Sequence, residues 1–446
     1  MSHLLIGVAH VIFAPMNQQR STARRHVADL ALVKRQVLFH ASKFRYSICL
    51  DNNFHKDVFA GGTCELLAGI GHTDLIEALP GQAFDMLKKH RDQHADWLFG
   101  GLSYDLKAET ENLHSSLPDS VGFPALCFFR PETVVLVQAG QLLVHCLTAD
   151  PEAVCDEILS TQTVFSPAST PPPVLQPRMP REAYLDTVRA IIGHIQEGDL
   201  YEMNLCQEFY AENVIIDPPG VYSKLNEIAQ PPMAAFFRFN NNYLLCASPE
   251  RFLRLQGNRL VSQPIKGTRR HTGSHDENLK SELANSIKDR AENVMIVDLA
   301  RNDLARSCQP GSVRVEELFG IYSFRTVHQM ISTVSGIILP HTSPVDAIAR
   351  AFPPGSMTGA PKVMAMKLIE KYEKNRRGLY SGAVGYFDPA GNFDFNVVIR
   401  SLLYNADTGY LSAQVGGAVV YDSVPESEYD ECMVKAEALF RSLASS

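Results

Sequence analysis

The chain, 446 residues long, is expected to adopt an α+β fold with antiparallel sheets, and three observations lead there. Strand-like runs follow one another in series instead of alternating strictly with helices, which disfavours a doubly wound parallel sheet. A hydrophobic content of 45% with 20% charged residues describes an ordinary globular chain able to bury a large core. One stretch, Ser166–Pro180, holds Pro167, Pro171, Pro172, Pro173, Pro177 and Pro180; that density cannot donate ladder hydrogen bonds and reads as an extended connection. The organisation expected is an N-terminal extension (1–26), a first part of the fold (27–165), the Pro-rich connection (166–180) and a larger second part (181–446).

Taken in order, the apolar stretch Leu4–Met16 is too short to span a bilayer and lacks the layout of a signal peptide. It reads as an extra strand or as a leader ahead of the fold. Phe44–Leu50, Trp97–Gly101 and Thr133–Val137 read as strands, and Asp74–His90 as containing an amphipathic helix. After the prolines, Arg181–Glu197 is helical, with Tyr184, Val188, Ile191, Ile192 and Ile195 on one side. Leu205–Tyr210, Ala234–Phe239, Tyr243–Ala247 and Arg251–Leu255 read as strands, and Glu277–Asn302 as one long helix. Pro361 opens a helix ending near Lys374; strands follow at Ala383–Phe387, Phe393–Arg400 and Tyr410–Val415, and Glu426–Leu443 closes the chain as a helix.

The formal charge of −8 and a pI near 6.0 exclude a broad nucleic-acid surface, which needs a basic excess. Nine scattered cysteines without Cys-x-x-Cys spacing read as reduced thiols of a cytoplasmic protein and disfavour a zinc site.

The chemistry-bearing residues fall into a few clusters. Asp289 and Glu292 are three apart on one expected helix, and Glu428 and Glu431 are three apart on another, so each pair shares a helix face. Lys435 extends the second face. Two such faces brought together suit Mg²⁺, which takes few protein carboxylates and keeps room for other oxygens; spacing alone fits two solvated faces as well. Pro353-Pro-Gly-Ser-Met-Thr-Gly-Ala-Pro-Lys362 is a glycine-bearing loop feeding a helix, whose free N–H groups would accept an anion or simply be capped. Gln414-Val-Gly-Gly-Ala418 is a strand end where a ligand can approach the backbone, or a plain bulge. Lys266, in Gln263-Pro-Ile-Lys-Gly-Thr268, is either a surface lysine or a desolvated amine that sheds its charge and becomes a nucleophile. Glu250 and Arg400 follow short apolar runs as strand-end charges.

Order and wording together are more specific than any one cluster. Ala247-Ser-Pro-Glu-Arg-Phe252, Ser286-Ile-Lys-Asp-Arg-Ala-Glu-Asn293, Val297-Asp-Leu-Ala-Arg-Asn-Asp303, Gly355–Lys362, Arg377-Gly-Leu-Tyr-Ser-Gly-Ala383 and Asp422-Ser-Val-Pro-Glu426 closely resemble the chorismate-utilising enzymes. The resemblance runs from about Glu197 to Phe440, and more loosely through Phe99-Gly-Gly-Leu-Ser-Tyr-Asp105. It implies two antiparallel sheets packed face to face with helices outside and a cleft holding the site. It also implies Mg²⁺ on Glu292 and Glu431, with Asp289 and Glu428 beside them. Arg400 and Tyr380 are then expected to hold a substrate carboxylate, with Lys435 nearby. Thr358, Gly359, Gly416 and Gly417 would line the pocket with backbone, His328 would sit near the ring, and Glu250 would assist departure of the C4 hydroxyl.

Within that family the wording Pro-Ile-Lys-Gly-Thr around Lys266 resembles the branch that makes 4-amino-4-deoxychorismate from chorismate and ammonia, where the lysine is understood to act covalently. Anthranilate synthases usually carry Ala at that place. Glu202, in Tyr201-Glu-Met-Asn-Leu205, departs from the Gln of amide-forming members and from the Lys of the isomerases, and a carboxylate there is able to serve as a base. With no glutaminase-type cysteine motif present, ammonia is expected from a separate glutamine amidotransferase subunit. Ile48-Cys-Leu-Asp-Asn52 only loosely resembles the tryptophan feedback element, so strong tryptophan inhibition is not expected.

Overall fold

A computed structural model describes residues 20–55, 64–163, 172–271, 276–325 and 327–444. The apolar stretch Leu4–Met16, Pro167 and Pro171 lie outside the described residues.

Two antiparallel sheets of twelve and ten strands make up the body. Across the larger, the strands run Ser21–His26, Gln141–Cys146, Thr133–Gln138, Leu66–Ile70, Tyr46–Asp51, Met233–Phe239, Asn242–Ser248, Ser401–Asn405, Tyr410–Val419, Glu202–Ala211 and Gly359–Ala360, with Gln176–Pro177 beside Glu202–Ala211. Across the smaller they run Ile265–Arg270, Val327–Ile337, Arg259–Gln263, Arg251–Gln256, Phe393–Val397, Ala383–Phe387, Leu98–Leu102, Leu126–Arg130 and Asp74–Ala78, with Arg314–Ser323 beside Val327–Ile337. Strands from either side of the proline stretch share both sheets: Tyr46–Asp51 pairs with Met233–Phe239, and Leu98–Leu102 pairs with Ala383–Phe387.

Side-chain alternation along the strands sorts the apolar residues into two layers. Phe237, Leu244 and Leu403 of the larger sheet join Phe99, Phe128, Phe387 and Phe395 of the smaller one in a single buried cluster. Their neighbours Phe236, Leu245 and Leu402 turn to the opposite layer, formed with Tyr184, Val188, Ile191, Leu225, Cys432 and Leu439 of three helices. Each such aromatic or aliphatic side chain contributes about 1.5–3 kcal/mol when withdrawn from water. The three helices are Arg181–Gln196, Pro218–Ala229 and Pro425–Leu443. No helix among the described residues is long and apolar enough to cross a membrane.

The amphipathic helix expected within Asp74–His90 is Ala83–Gln93, and Asp74–Ala78 ahead of it is an edge strand paired with Leu126–Arg130. Two other expectations need correction. The single helix expected over Glu277–Asn302 is two, Asp276–Asn285 and Ile287–Ala305, because the Ser286 hydroxyl accepts from the Asp289 N–H and starts a new helix. The strand expected over Phe393–Arg400 ends at Val397, and Arg400 has φ +53°, a left-handed conformation that a long side chain adopts only under constraint.

Beneath the site, Arg377 is fully buried and grips Glu373 through two bonds, Nη2 to Oε1 at 2.6 Å and Nε to Oε2 at 2.9 Å, while Nη2 also reaches the Asn204 carbonyl at 2.9 Å. Arg377→Met is expected to cost about 3–5 kcal/mol, since it strands a buried carboxylate. The drop in urea midpoint relative to the parent chain measures it.

Candidate active site

A cavity of about 440 Å³ opens between the edge of the smaller sheet, the Ile287–Ala305 and Pro425–Leu443 helices, and the Tyr410–Val419 strand. Lys266, Glu250, Arg400, Tyr380, Gly416, Lys435, Glu292, Glu431 and Asp289 all line it.

Lys266 reaches it because of a local irregularity. The Ile265–Arg270 strand shifts register against Val327–Ile337 between Ile265 and Thr268, and Gly267 takes φ +92°, a value suited to glycine. The Lys266 amine, almost fully buried, donates to Glu202 Oε1 at 2.7 Å. Burial pulls its pKa down, but Glu202, Glu292 and Glu431 more than reverse that, so its affinity for a proton is raised. The sequence expectation of an amine losing its charge is therefore corrected: in the free protein, carboxylates outweigh desolvation. Glu202 does not line the cavity; it lies behind Lys266, 1% exposed, with its Oε2 buried and without a hydrogen-bond partner.

Glu250 follows the Asn242–Ser248 strand and is 5% exposed. Burial raises its pKa to about 7, with Ser356 and Lys266 pulling partly back, so a protonated fraction persists at neutral pH. Arg400, at the opposite turn, loses some proton affinity to burial, while Tyr380 and Glu431 support its charge.

Those acids sit on two well-anchored helices. Asn293 fixes the first to the Val327–Ile337 strand by accepting from the Ser332 hydroxyl at 2.6 Å. Cys432 fixes the second through its 3.2 Å contact with Tyr184 Oη. Glu292 is pushed up to about 7, first by burial and then by Glu202 and Glu431 against the pull of Lys266 and Lys288. Burial also raises Glu428, whose Oε1 accepts from Ser423 at 2.7 Å. Glu431 is held low, chiefly by Lys435 at 2.6 Å, and the same lysine donates to the Gly416 carbonyl at 2.8 Å. Asp289 is committed to Arg269 at 2.9 Å.

Glu292 Oε1 and Glu428 Oε2 are buried oxygens with no hydrogen-bond partner. Such atoms are costly unless something positive completes them; Lys288 Nζ stands 3.8 Å from the first. With Glu431 the two offer the all-oxygen donors that Mg²⁺ takes, which would have to draw together around it. Gly417 leaves the approach open: a Cβ there would stand 3.2 Å from Glu428 Oε2 and 3.8 Å from Glu431 Oε1. Gly417→Ala is expected to raise the Mg²⁺ concentration for half-maximal activity about tenfold, equivalent to about 1.4 kcal/mol, with little change in melting temperature; a Mg²⁺ titration of turnover at saturating substrate measures it.

Besides Glu202, five residues expected at the site do not line the cavity: His328, Thr358, Gly359, Gly417 and Glu428. His328 is fully buried, with Nδ1 2.9 Å from Ser323 Oγ and Nε2 3.4 Å from Asp276 Oδ1; its strand neighbours Val327 and Gln329 line the cavity instead. Thr358 spends its N–H on the Gly355 carbonyl and its own carbonyl on the Asn204 N–H. Gly359 pairs with Met203. From that loop, Ser356 and Met357 face the cavity. Sequence reasoning also missed Asn204, Gln329 and Gln414, neutral residues on strands whose only signal is alternation: each faces inward at a position otherwise suited to an apolar side chain.

The sequence profile of the chorismate binding enzymes matches residues 46–441. An aminodeoxychorismate synthase of Arabidopsis thaliana is 38% identical over 76% of this chain and 39% of its own length. Aminodeoxychorismate synthase component 1 of Klebsiella aerogenes is 36% identical over 79% of each chain, and anthranilate synthase component 1 of Thermus thermophilus is 34% identical over 83% of this chain and 82% of its own. The chain thus spans well under half of the plant relative and most of the bacterial ones. Among solved structures, anthranilate synthase component I of Streptococcus pneumoniae superposes with a TM-score of 0.72 at 24% identity, covering 98% of this chain and 95% of that one. That likeness establishes the two-sheet fold.

Proposed function

The chain belongs to the family of chorismate binding enzymes, and from that premise we propose that it converts chorismate and ammonia to 4-amino-4-deoxychorismate. One observation carries the reading: the Lys266 amine, backed by Glu202 at 2.7 Å, shares a 440 Å³ cavity with Glu250 and Arg400. A nucleophile, its base, a protonated acid and an anion anchor are what substitution at C4 of a dianionic cyclohexadiene requires.

Arg400 and Tyr380 bind one substrate carboxylate, and Glu292, Glu428 and Glu431 would hold Mg²⁺. When bound, Mg²⁺ would supply Lewis-acid neutralisation of the other carboxylate and of Glu292 and Glu431, two of the charges that keep a proton on Lys266. Glu202 takes the proton from Lys266 across their hydrogen bond. The free amine attacks C2, both ring double bonds shift (C1=C2 to C1=C6 and C5=C6 to C4=C5), and the C4–O bond breaks as Glu250 gives its proton to the departing hydroxyl, which leaves as water. Ammonia then attacks C4, both double bonds shift back, the C2–N bond to Lys266 breaks, and a proton from the new C4 ammonium restores Glu250. Splitting one difficult substitution into two easier ones is the gain from covalent catalysis.

Ammonia comes from a glutamine amidotransferase partner in this reading; the name component 1 of the Klebsiella aerogenes relative supports a second component. Nine cysteines without a disulfide, eight of them buried, support a reducing compartment such as the cytoplasm.

Incubation of the purified chain with chorismate, Mg²⁺ and ammonium, with products resolved by mass and chromatography, tests the proposal. 4-Amino-4-deoxychorismate is the expected product. Anthranilate would transfer the chain to the activity named for its Thermus thermophilus relative, and isochorismate would recast Glu202 as a base acting on water. Tryptophan at low micromolar concentration is expected to leave turnover unchanged; a calorimetric binding signal in that range would overturn this.

A further inference from the structure

At the outer edge of the smaller sheet, three side chains meet that the chemistry above does not use. Asp74 opens the edge strand Asp74–Ala78. His90 sits in the last turn of the Ala83–Gln93 helix, and His94 is its C-cap, so the two imidazoles are four residues apart on one face. Their ring centroids are 4.7 Å apart, and one ligand atom from each of Asp74, His90 and His94 lies within 4.8 Å of the others. None of the three lines the catalytic cavity.

The distinguishing feature is His90. Both its Nδ1 and its Nε2 are buried and have no hydrogen-bond partner, whereas a buried ring nitrogen ordinarily has one. Two comparable clusters show the contrast. His194 has both nitrogens engaged, by Asp199 at 2.7 Å and Tyr372 Oη at 3.0 Å. His271 is likewise engaged by the Phe324 carbonyl at 2.7 Å and Asp276 at 2.6 Å. The nearest competing charge at Asp74 is Arg130, whose Nη1 stands 3.6 Å from Oδ2 while its Nε is bonded to Asp96 at 2.8 Å.

We propose that Asp74, His90 and His94 form a binding site for one Zn²⁺, with water as fourth ligand. Two imidazoles and a carboxylate suit zinc and not magnesium, which prefers an all-oxygen shell, so this site and the catalytic acids select different cations. Bonds of about 2.0–2.1 Å require the three ligand atoms to close up from the observed spread, within reach of rotations of these half-buried side chains. The ion would clamp the end of the helix onto the edge strand.

The test is a Zn²⁺ titration of the full chain against a chromophoric chelator in excess Mg²⁺. One equivalent bound at about 1 μM or tighter is expected, because folded ligands have little ordering left to undergo. His90→Ala, His94→Ala and the milder Asp74→Asn are each expected to weaken binding by more than the roughly 10–100-fold seen for loss of an outer-shell partner. Their Mg²⁺-dependent turnover of chorismate, or their circular dichroism should that turnover be absent, serves as a check that they fold. Failure of the parent to bind Zn²⁺ at 10-fold higher concentration, or binding that survives all three substitutions in folded protein, overturns the proposal.

Discussion

Lys266→Ala is expected to make no detectable 4-amino-4-deoxychorismate, a loss on the order of 10³-fold or more, or about 4 kcal/mol at 1.36 kcal/mol per decade. The size follows from the role: without the amine, ammonia must displace hydroxide directly, and the route through two easier steps is gone. The substitution removes a cation that faces Glu202, Glu292 and Glu431 together, so Mg²⁺ binding should persist or strengthen. Stabilisation of the variant by Mg²⁺ with chorismate, read as a rise in melting temperature, separates lost chemistry from a lost site. A product rate within tenfold of the parent would remove the covalent role. Quenching the parent during turnover and reading its intact mass gives a direct view, as an adduct of chorismate less water on the Lys266 peptide is expected.

Glu250→Gln carries the second large effect, a fall in kcat of about 10²–10⁴-fold for loss of a positioned acid. The amide keeps the shape and has no proton to give a departing hydroxyl. Its pH dependence has a definite sign. Glu250 is active while protonated, and burial sets its pKa at about 7. The parent rate should therefore hold level on the acid side of that value as far as Glu250 is concerned, and decline about tenfold per unit above it. In Glu250→Gln that decline should vanish from the residual rate. A parent profile rising through pH 8 would instead assign the rate-determining proton to a base, with Glu202 first in line.

Much of the fold and site is legible in the sequence. Strand runs in series point to the α+β class because antiparallel pairing needs only short turns. Seven of the ten strands read from the sequence lie within two residues of their expected limits, while strands such as Leu66–Ile70, Gln141–Cys146 and Val327–Ile337 went unread. Spacing of three put Glu428 and Glu431 on one helix, and the family wording singled out Lys266, Glu250 and Arg400. What stayed hidden has a common cause: it depends on what another part of the chain places nearby. The edge strand Asp74–Ala78 went unread because its partner, Leu126–Arg130, lies about fifty residues on. The charge on Lys266 is decided by carboxylates from three separate elements, which no local window contains. His328 was read as facing the ring, but alternation on its strand hands that place to Val327 and Gln329. The break at Ser286 was legible as a cap, Ser followed three residues later by Asp289, and an uninterrupted run of helix formers on either side concealed it.

The pairing of early with late strands bears on how the chain is born. Leu98–Leu102 lies between Leu126–Arg130 and Ala383–Phe387, and Tyr46–Asp51 cannot complete its ladder until Met233–Phe239 arrives. A growing polypeptide emerging from the ribosome therefore carries unsatisfied strand edges through most of its synthesis, at about 5–20 residues per second. Such long-range closure is slow and exposes apolar surface while it waits. Nascent chains stalled before residue 383 should be captured by chaperones and digested readily by protease, and release of the last sixty or so residues should confer resistance in a single late step.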